Sequence, residues 1–94
     1  MFSERITVVG GVQGVGFRAH VLRAATALGV KGRVWNLPIT GVGILAQHND
    51  CDVLYDRFLR RVVGGPGKVG QLWCEAYEGE VFEDFQVTRP QTED

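Results

Sequence analysis

Cysteine is scarce: Cys51 and Cys74 are the only two in 94 residues. They form no C-x-x-C pair and no Cys/His cluster, which excludes a zinc site of the usual spacing and a disulfide framework. The plain expectation is two free thiols in a reducing compartment. Long apolar runs are also missing. Apolar residues make up 45% of the chain but are spread along it, and Met1-Phe2-Ser3-Glu4-Arg5 opens neither a signal peptide nor a membrane span. A cytoplasmic protein with no membrane partner is expected. An excess of positive charge is absent as well. The net charge of −1 argues against a general nucleic-acid binder, which would be clearly basic. No repeat, low-complexity segment or linker appears, so 1–94 reads as one domain. Such a chain buries roughly 60–65% of the surface its unfolded form exposes.

Glycine, by contrast, is plentiful, with thirteen in all. Four fall within Gly10-Gly11-Val12-Gln13-Gly14-Val15-Gly16-Phe17-Arg18. This stretch follows a β-like run, Arg5-Ile6-Thr7-Val8-Val9, and precedes a helical pattern from Phe17. Glycine lets backbone amides turn toward one centre and approach a ligand closely. The following helix start adds unpaired N–H groups and the positive dipole end, and Arg18 adds a fork matched to phosphate oxygens. The expectation is an oxyanion site, phosphate above all. The spacing is neither that of a P-loop, which needs Gly-Lys-Ser/Thr, nor that of a dinucleotide fingerprint. The plainer alternative is a glycine-rich turn that merely joins a strand to a helix. Charge favours the anion: residues 1–36 carry a net +4 and residues 37–94 a net −5.

Periodicity gives the remaining elements. A strand is expected over 4–9 with Ile6 and Val8 on one face, and a helix over 17–28 on the stripe Phe17, Val21, Ala25, Leu28, stopped by Gly29. His20 falls off that stripe and reads as solvated, with an acid/base role as the outside option. Strands at 31–36 and 42–47 flank a turn at Leu37-Pro38-Ile39-Thr40-Gly41. Val34 is expected in the core, Trp35 on the opposite face, and Gly43 at a bulge. Asn49 is the expected cap of a helix over 52–63. A strand follows at 68–77 with Val69, Leu72, Cys74 and Ala76 as inward candidates, although Trp73 and Tyr77 upset the alternation. Glu78-Gly79-Glu80 reads as a solvated turn, 84–88 as a short last strand, and the tail starts at about 90. The fold class is therefore α+β, a ferredoxin-like βαββαβ sandwich. It has an antiparallel sheet, two helices on one face and a short extra C-terminal strand.

Gly-x-Val-Gln-Gly-Val-x-Phe-Arg at 10–18 resembles the first signature of the acylphosphatases, and Gly32-Arg33-Val34-Trp35-Asn36 resembles their second. The resemblance extends to Gly65-Pro66 and Phe85. It implies the same fold and a hydrolase that cleaves the carboxyl–phosphate bond of acyl phosphates. It also implies that Gly11, Val12, Gln13, Gly14, Val15 and Gly16 form the phosphate loop, that Arg18 binds the phosphate and that Asn36 orients the attacking water. Gln13 is expected to shape the loop through side-chain hydrogen bonds or to lie on its rim. The implied partner is a small-molecule acyl phosphate, with no metal, no cofactor and no nucleic acid, and the protein is expected to act as a monomer. Two departures stand out: Gly11 where the family usually has a basic residue, and Ile39-Thr40 where it usually has an Asp-Gly turn. A non-catalytic phosphate-binding or interaction module on the same fold is the alternative.

Overall fold

The computed structural model of the protein describes residues 1–89; the tail expected from about residue 90 lies outside the described residues. Strand β1 (Phe2–Gly11) leads into helix α1 (Phe17–Leu28), then β2 (Lys31–Asn36) and β3 (Val42–His48). Helix α2 joins a π-helical stretch, Val53–Phe58, to an α-helical one, Leu59–Val63; β4 (Lys68–Ala76) and β5 (Phe85–Val87) follow. The strands lie in the order β4-β1-β3-β2-β5. This is the ferredoxin-like arrangement with one added edge strand.

Alternation along the strands builds the core. Ile6, Val8, Val34, Val42, Ile44 and Ala46 pack with Phe17, Val21, Ala25, Leu54, Phe58 and Val62 from the two helices. Helix α1 has the expected bounds because its stripe and its stop agree. At its end the Gly29 N–H bonds the Thr26 carbonyl and the Val30 N–H bonds the Ala25 carbonyl, a Schellman closure. Helix α2 is capped one residue later than expected. Asp50, not Asn49, accepts from the Asp52 N–H at 2.9 Å.

Three further expectations change. The sheet is mixed, because β5 lies parallel to β2 with Val34 opposite Val87, while the other three pairings are antiparallel. The chain reaches that edge by crossing the face of the sheet that carries no helix. There Phe82 packs with Trp35 and Leu45, flanked by Leu37 and Tyr77. Gln47 pins the crossing: its side chain accepts from the Phe82 N–H (2.9 Å) and donates to the Glu80 carbonyl (2.8 Å). Arg33 stacks over Phe82 and pairs with Asp84 at 2.8 Å. The hydrogen bond from Gln86, then that from Arg33, holds the Asp84 carboxyl below the usual range.

Gly43 makes no bulge. It lies directly across from Trp35 in an unbroken register, and a Cβ there would come within 2.6 Å of the indole ring. The bulge is in β4 instead. Val9 pairs with Gln71 and Gly10 with Val69, leaving Gly70 as the extra residue. That insertion brings Val69 and Leu72 to one face, where both pack on the core, and explains the broken alternation. Cys74 and Ala76 lie beyond the helical cover and are exposed. The two cysteines are free thiols.

Candidate active site

The glycine-rich stretch bridges the end of β1 and the start of α1. Its two ends are fixed by apolar burial, since Val12 and Phe17 are both fully buried. Complete burial of such side chains is worth about 1.5–3 kcal/mol each. Between them hang Gln13, Gly14, Val15 and Gly16. Gly14 (φ 75°) and Gly16 (φ 84°) are left-handed, and among the described residues no non-glycine residue has positive φ. The sign of φ thus alternates from Gln13 to Phe17, the pattern that turns successive N–H groups into an anion-binding nest. Space is not the constraint, because a Cβ at either glycine would meet nothing within 4 Å. The requirement is conformational.

Among the described residues, the N–H groups of Gln13, Gly14, Val15 and Gly16 make no hydrogen bond. Helix α1 starts at Gly16 with no side-chain cap and no acidic residue in its first turn. Its N–H groups and positive dipole end are therefore uncompensated. Half-buried Arg18 stands in that same turn, and among the described residues it has neither an ion pair nor a hydrogen-bond partner. A cation at this end of a helix is unfavourable unless an anion accompanies it. Elsewhere on the sheet, Arg33 is paired with Asp84 and Arg5 lies 4.0 Å from Glu75.

Asn36 ends β2. Val34 faces the helices, so strand alternation puts Asn36 on that same face. Its Oδ1 is buried and has no hydrogen-bond partner among the described residues. An orphaned acceptor of this kind is costly unless water or a ligand satisfies it.

Gln13 ties the loop to the hairpin that carries Asn36. Its Nε2 donates to the Leu37 carbonyl (2.8 Å) and to the Gly41 carbonyl (2.9 Å), the two ends of the hairpin turn. The Leu37 N–H closes that turn onto the Gly41 carbonyl at 3.0 Å. Thr40 adds a second tie, its hydroxyl donating to the Gly10 carbonyl at 3.0 Å. The tip is apolar and solvated, with Ile39 93% exposed. Gly11 ends β1 in the open, where a Cβ would meet nothing within 4 Å. His20 lies outside the site; its Nε2 donates to the Arg61 carbonyl at 2.7 Å and links α1 to the end of α2.

A cleft of about 250 Å³ runs from Gly14, Gly16 and Arg18 along α1 past Ala19 and Leu22, with Val87 of β5 opposite. The structure thus brings together the loop, Arg18 and the β2–β3 hairpin. Sequence reasoning missed Thr40, Leu22 and Val87. Thr40 carries no local signal, and Val87 reaches the cleft only because the chain crosses under the sheet.

The family model for acylphosphatase matches residues 4–87. An acylphosphatase of Archaeoglobus fulgidus is 39% identical over 89 residues, covering 93% of this chain and 98% of that one. The crystal structure of the acylphosphatase from Bacillus subtilis superposes with a TM-score of 0.86 at 32% identity, covering 94% of this chain and 99% of that chain. Full-length HypF, in a phosphate- and nucleotide-bound form, also matches, with a TM-score of 0.80 at 27% identity. That match covers 93% of this chain but only 12% of HypF. On the family match, the extent of the identity and the shared fold, the chain belongs to the acylphosphatase family.

Proposed function

We propose that this protein hydrolyses acyl phosphates to a carboxylate and inorganic phosphate. The observation that carries the reading is that, among the described residues, the N–H groups from Gln13 to Gly16 have no partner and Arg18 beside them has no ion pair. These groups hold the phosphoryl oxygens. The loop amides supply directed partial charge and the guanidinium supplies a bidentate fork. Phosphoryl transfer asks mainly for positioning and charge stabilisation, which such a cradle provides. The Asn36 Oδ1, buried without a partner among the described residues, accepts from the attacking water and sets it in line with the bond to be broken. The leaving carboxylate has a conjugate acid of pKa about 4–5 and departs without a general acid. Amides and Arg18 carry the positive field, so the reaction proceeds without a metal. The protein acts as a monomer in the cytoplasm.

Replacing Asn36 by Ala is expected to lower turnover of benzoyl phosphate about 10²–10³-fold. Inorganic phosphate should still inhibit as it does the wild type, since the cradle is untouched. Near-wild-type turnover by Asn36→Ala contradicts the assignment. The match to a 12% segment of HypF supports a second reading, a phosphate-binding module without turnover. Phosphate protection against thermal unfolding, with no acyl phosphate turned over, favours that second reading.

A further inference from the structure

The cleft beside the loop is larger than a phosphoryl group requires. Its volume is about 250 Å³. Its walls also change character along its length. Gly14, Gly16 and Arg18 line it where the phosphate belongs, while Ala19, Leu22 and Val87 line it further along. Arg18 and Leu22 are four residues apart on α1, and Ala19 and Leu22 three, so all three share a helix face. One helical turn, about 5.4 Å, separates the root of the guanidinium from the hydrocarbon wall. The opposite wall is Val87, which the parallel register sets beside Val34, two residues before Asn36 on the same face of β2. Val87 keeps 39% of its surface in solvent and Leu22 is half-buried, so both walls present hydrocarbon that no described residue fully covers.

We propose that Ala19, Leu22 and Val87 form the acyl subsite, which selects acyl phosphates with an aromatic or branched hydrocarbon acyl group over acetyl-sized or charged ones. The proposal rests on the hydrolase reading for its substrate class. A phosphate held at Arg18 sends its acyl group along α1, between these two walls. Each methylene buried there is worth about fourfold in affinity. A charged acyl group would be desolvated against hydrocarbon with no partner. An acetyl group leaves most of the wall in water.

The test uses two non-hydrolysable analogues in which CH₂ replaces the bridging oxygen. Acetonylphosphonate mimics acetyl phosphate, and phenacylphosphonate mimics benzoyl phosphate. Their dissociation constants are measured by calorimetry on the wild type and on two variants, Val87→Ser and Ala19→Leu. The first makes one wall polar; the second fills the cleft from an exposed helix position that folding tolerates. The wild type is expected to bind phenacylphosphonate at least about tenfold more tightly than acetonylphosphonate, and both variants to bring the ratio below about threefold. A wild-type ratio near one, a ratio preserved in both variants, or no binding of either phosphonate overturns the proposal. Benzoyl phosphate turnover is followed on the same preparations. No turnover with the ratio intact overturns the hydrolase reading alone, and turnover with a ratio near one overturns the subsite alone.

Discussion

Arg18 stands in the first turn of a helix that has no acidic residue there and no side-chain cap. In isolation that arrangement is unfavourable by some tenths of a kcal/mol, and an anion in the cradle reverses the sign. The same reasoning applies to Gly11, the position where the sequence departs from the family's basic residue. It is exposed, its φ is not positive, and a side chain there meets no atom within 4 Å. Gly11→Lys is therefore expected to change stability by no more than about 0.5 kcal/mol. The added charge should lower KM for benzoyl phosphate with little change in kcat, since it attracts substrate and transition state alike. Steady-state kinetics with a thermal melt checks this; a KM unchanged at low salt contradicts it. The loop and Arg18 were legible in the sequence because glycine spacing and one arginine encode them locally. The orphaned Oδ1 of Asn36 was not legible, because burial and satisfaction are properties of the folded neighbourhood.

Two connections meet at the site: the loop after β1 and the hairpin between β2 and β3. Each alone is short and solvated. Gln13 joins them through both carbonyls that bound the hairpin turn, and Thr40 returns a bond to Gly10. Replacing Gln13 by Leu removes both of its bonds; the Leu37 carbonyl loses its donor, while the Gly41 carbonyl keeps the Leu37 N–H. The expected cost is about 1–2 kcal/mol of stability, read from a denaturant midpoint. The greater effect is expected in kcat, because a hairpin displaced by about 1 Å misplaces Asn36 and costs on the order of 10²-fold. A variant that loses stability but keeps kcat would show the tie to be structural only. The sequence suggested that Gln13 shapes the loop, but not what it holds, since its partners are 24 and 28 residues away. Helix α1 and strand β2 were readable to the residue, because periodicity and stop signals coincide there. Gly43 and the β4 bulge were not, since the first answers a tryptophan on the next strand and the second an irregularity opposite Val9 and Gly10.

At the scale of the whole molecule, the sheet is covered by helices on one face and by the crossing segment on the other. Its order follows from alternation and chirality, but the parallel seat of β5 depends on Phe82 finding Trp35 and could not be read locally. At the start of β1, the end away from the loop, Tyr55 donates to Glu4 at 2.8 Å and packs edge-on against Phe2. Burial, then the bond to Glu4 and its charge, pushes the Tyr55 phenol up to about 12. The folded state therefore holds this proton more tightly than the unfolded chain. The stabilisation is fully present below about pH 10 and is lost as pH rises through the folded value. Tyr55 is 40% exposed, and solvent screening limits the effect to about 0.5 kcal/mol. Tyr55→Phe is expected to melt roughly 2–4 °C below the wild type at pH 8 and to converge with it as pH approaches the folded value. A gap that stays constant with pH contradicts the linkage.

We propose that loop amides and one arginine suffice to hold and activate an acyl phosphate. The most direct measurement is hydrolysis of benzoyl phosphate in excess chelator by the wild type and by Arg18→Ala, with both shown folded by circular dichroism. Steady turnover by the wild type and a loss of about 10²–10³-fold or more in the variant is the predicted result. Turnover abolished by the chelator, or retained by Arg18→Ala, would contradict it.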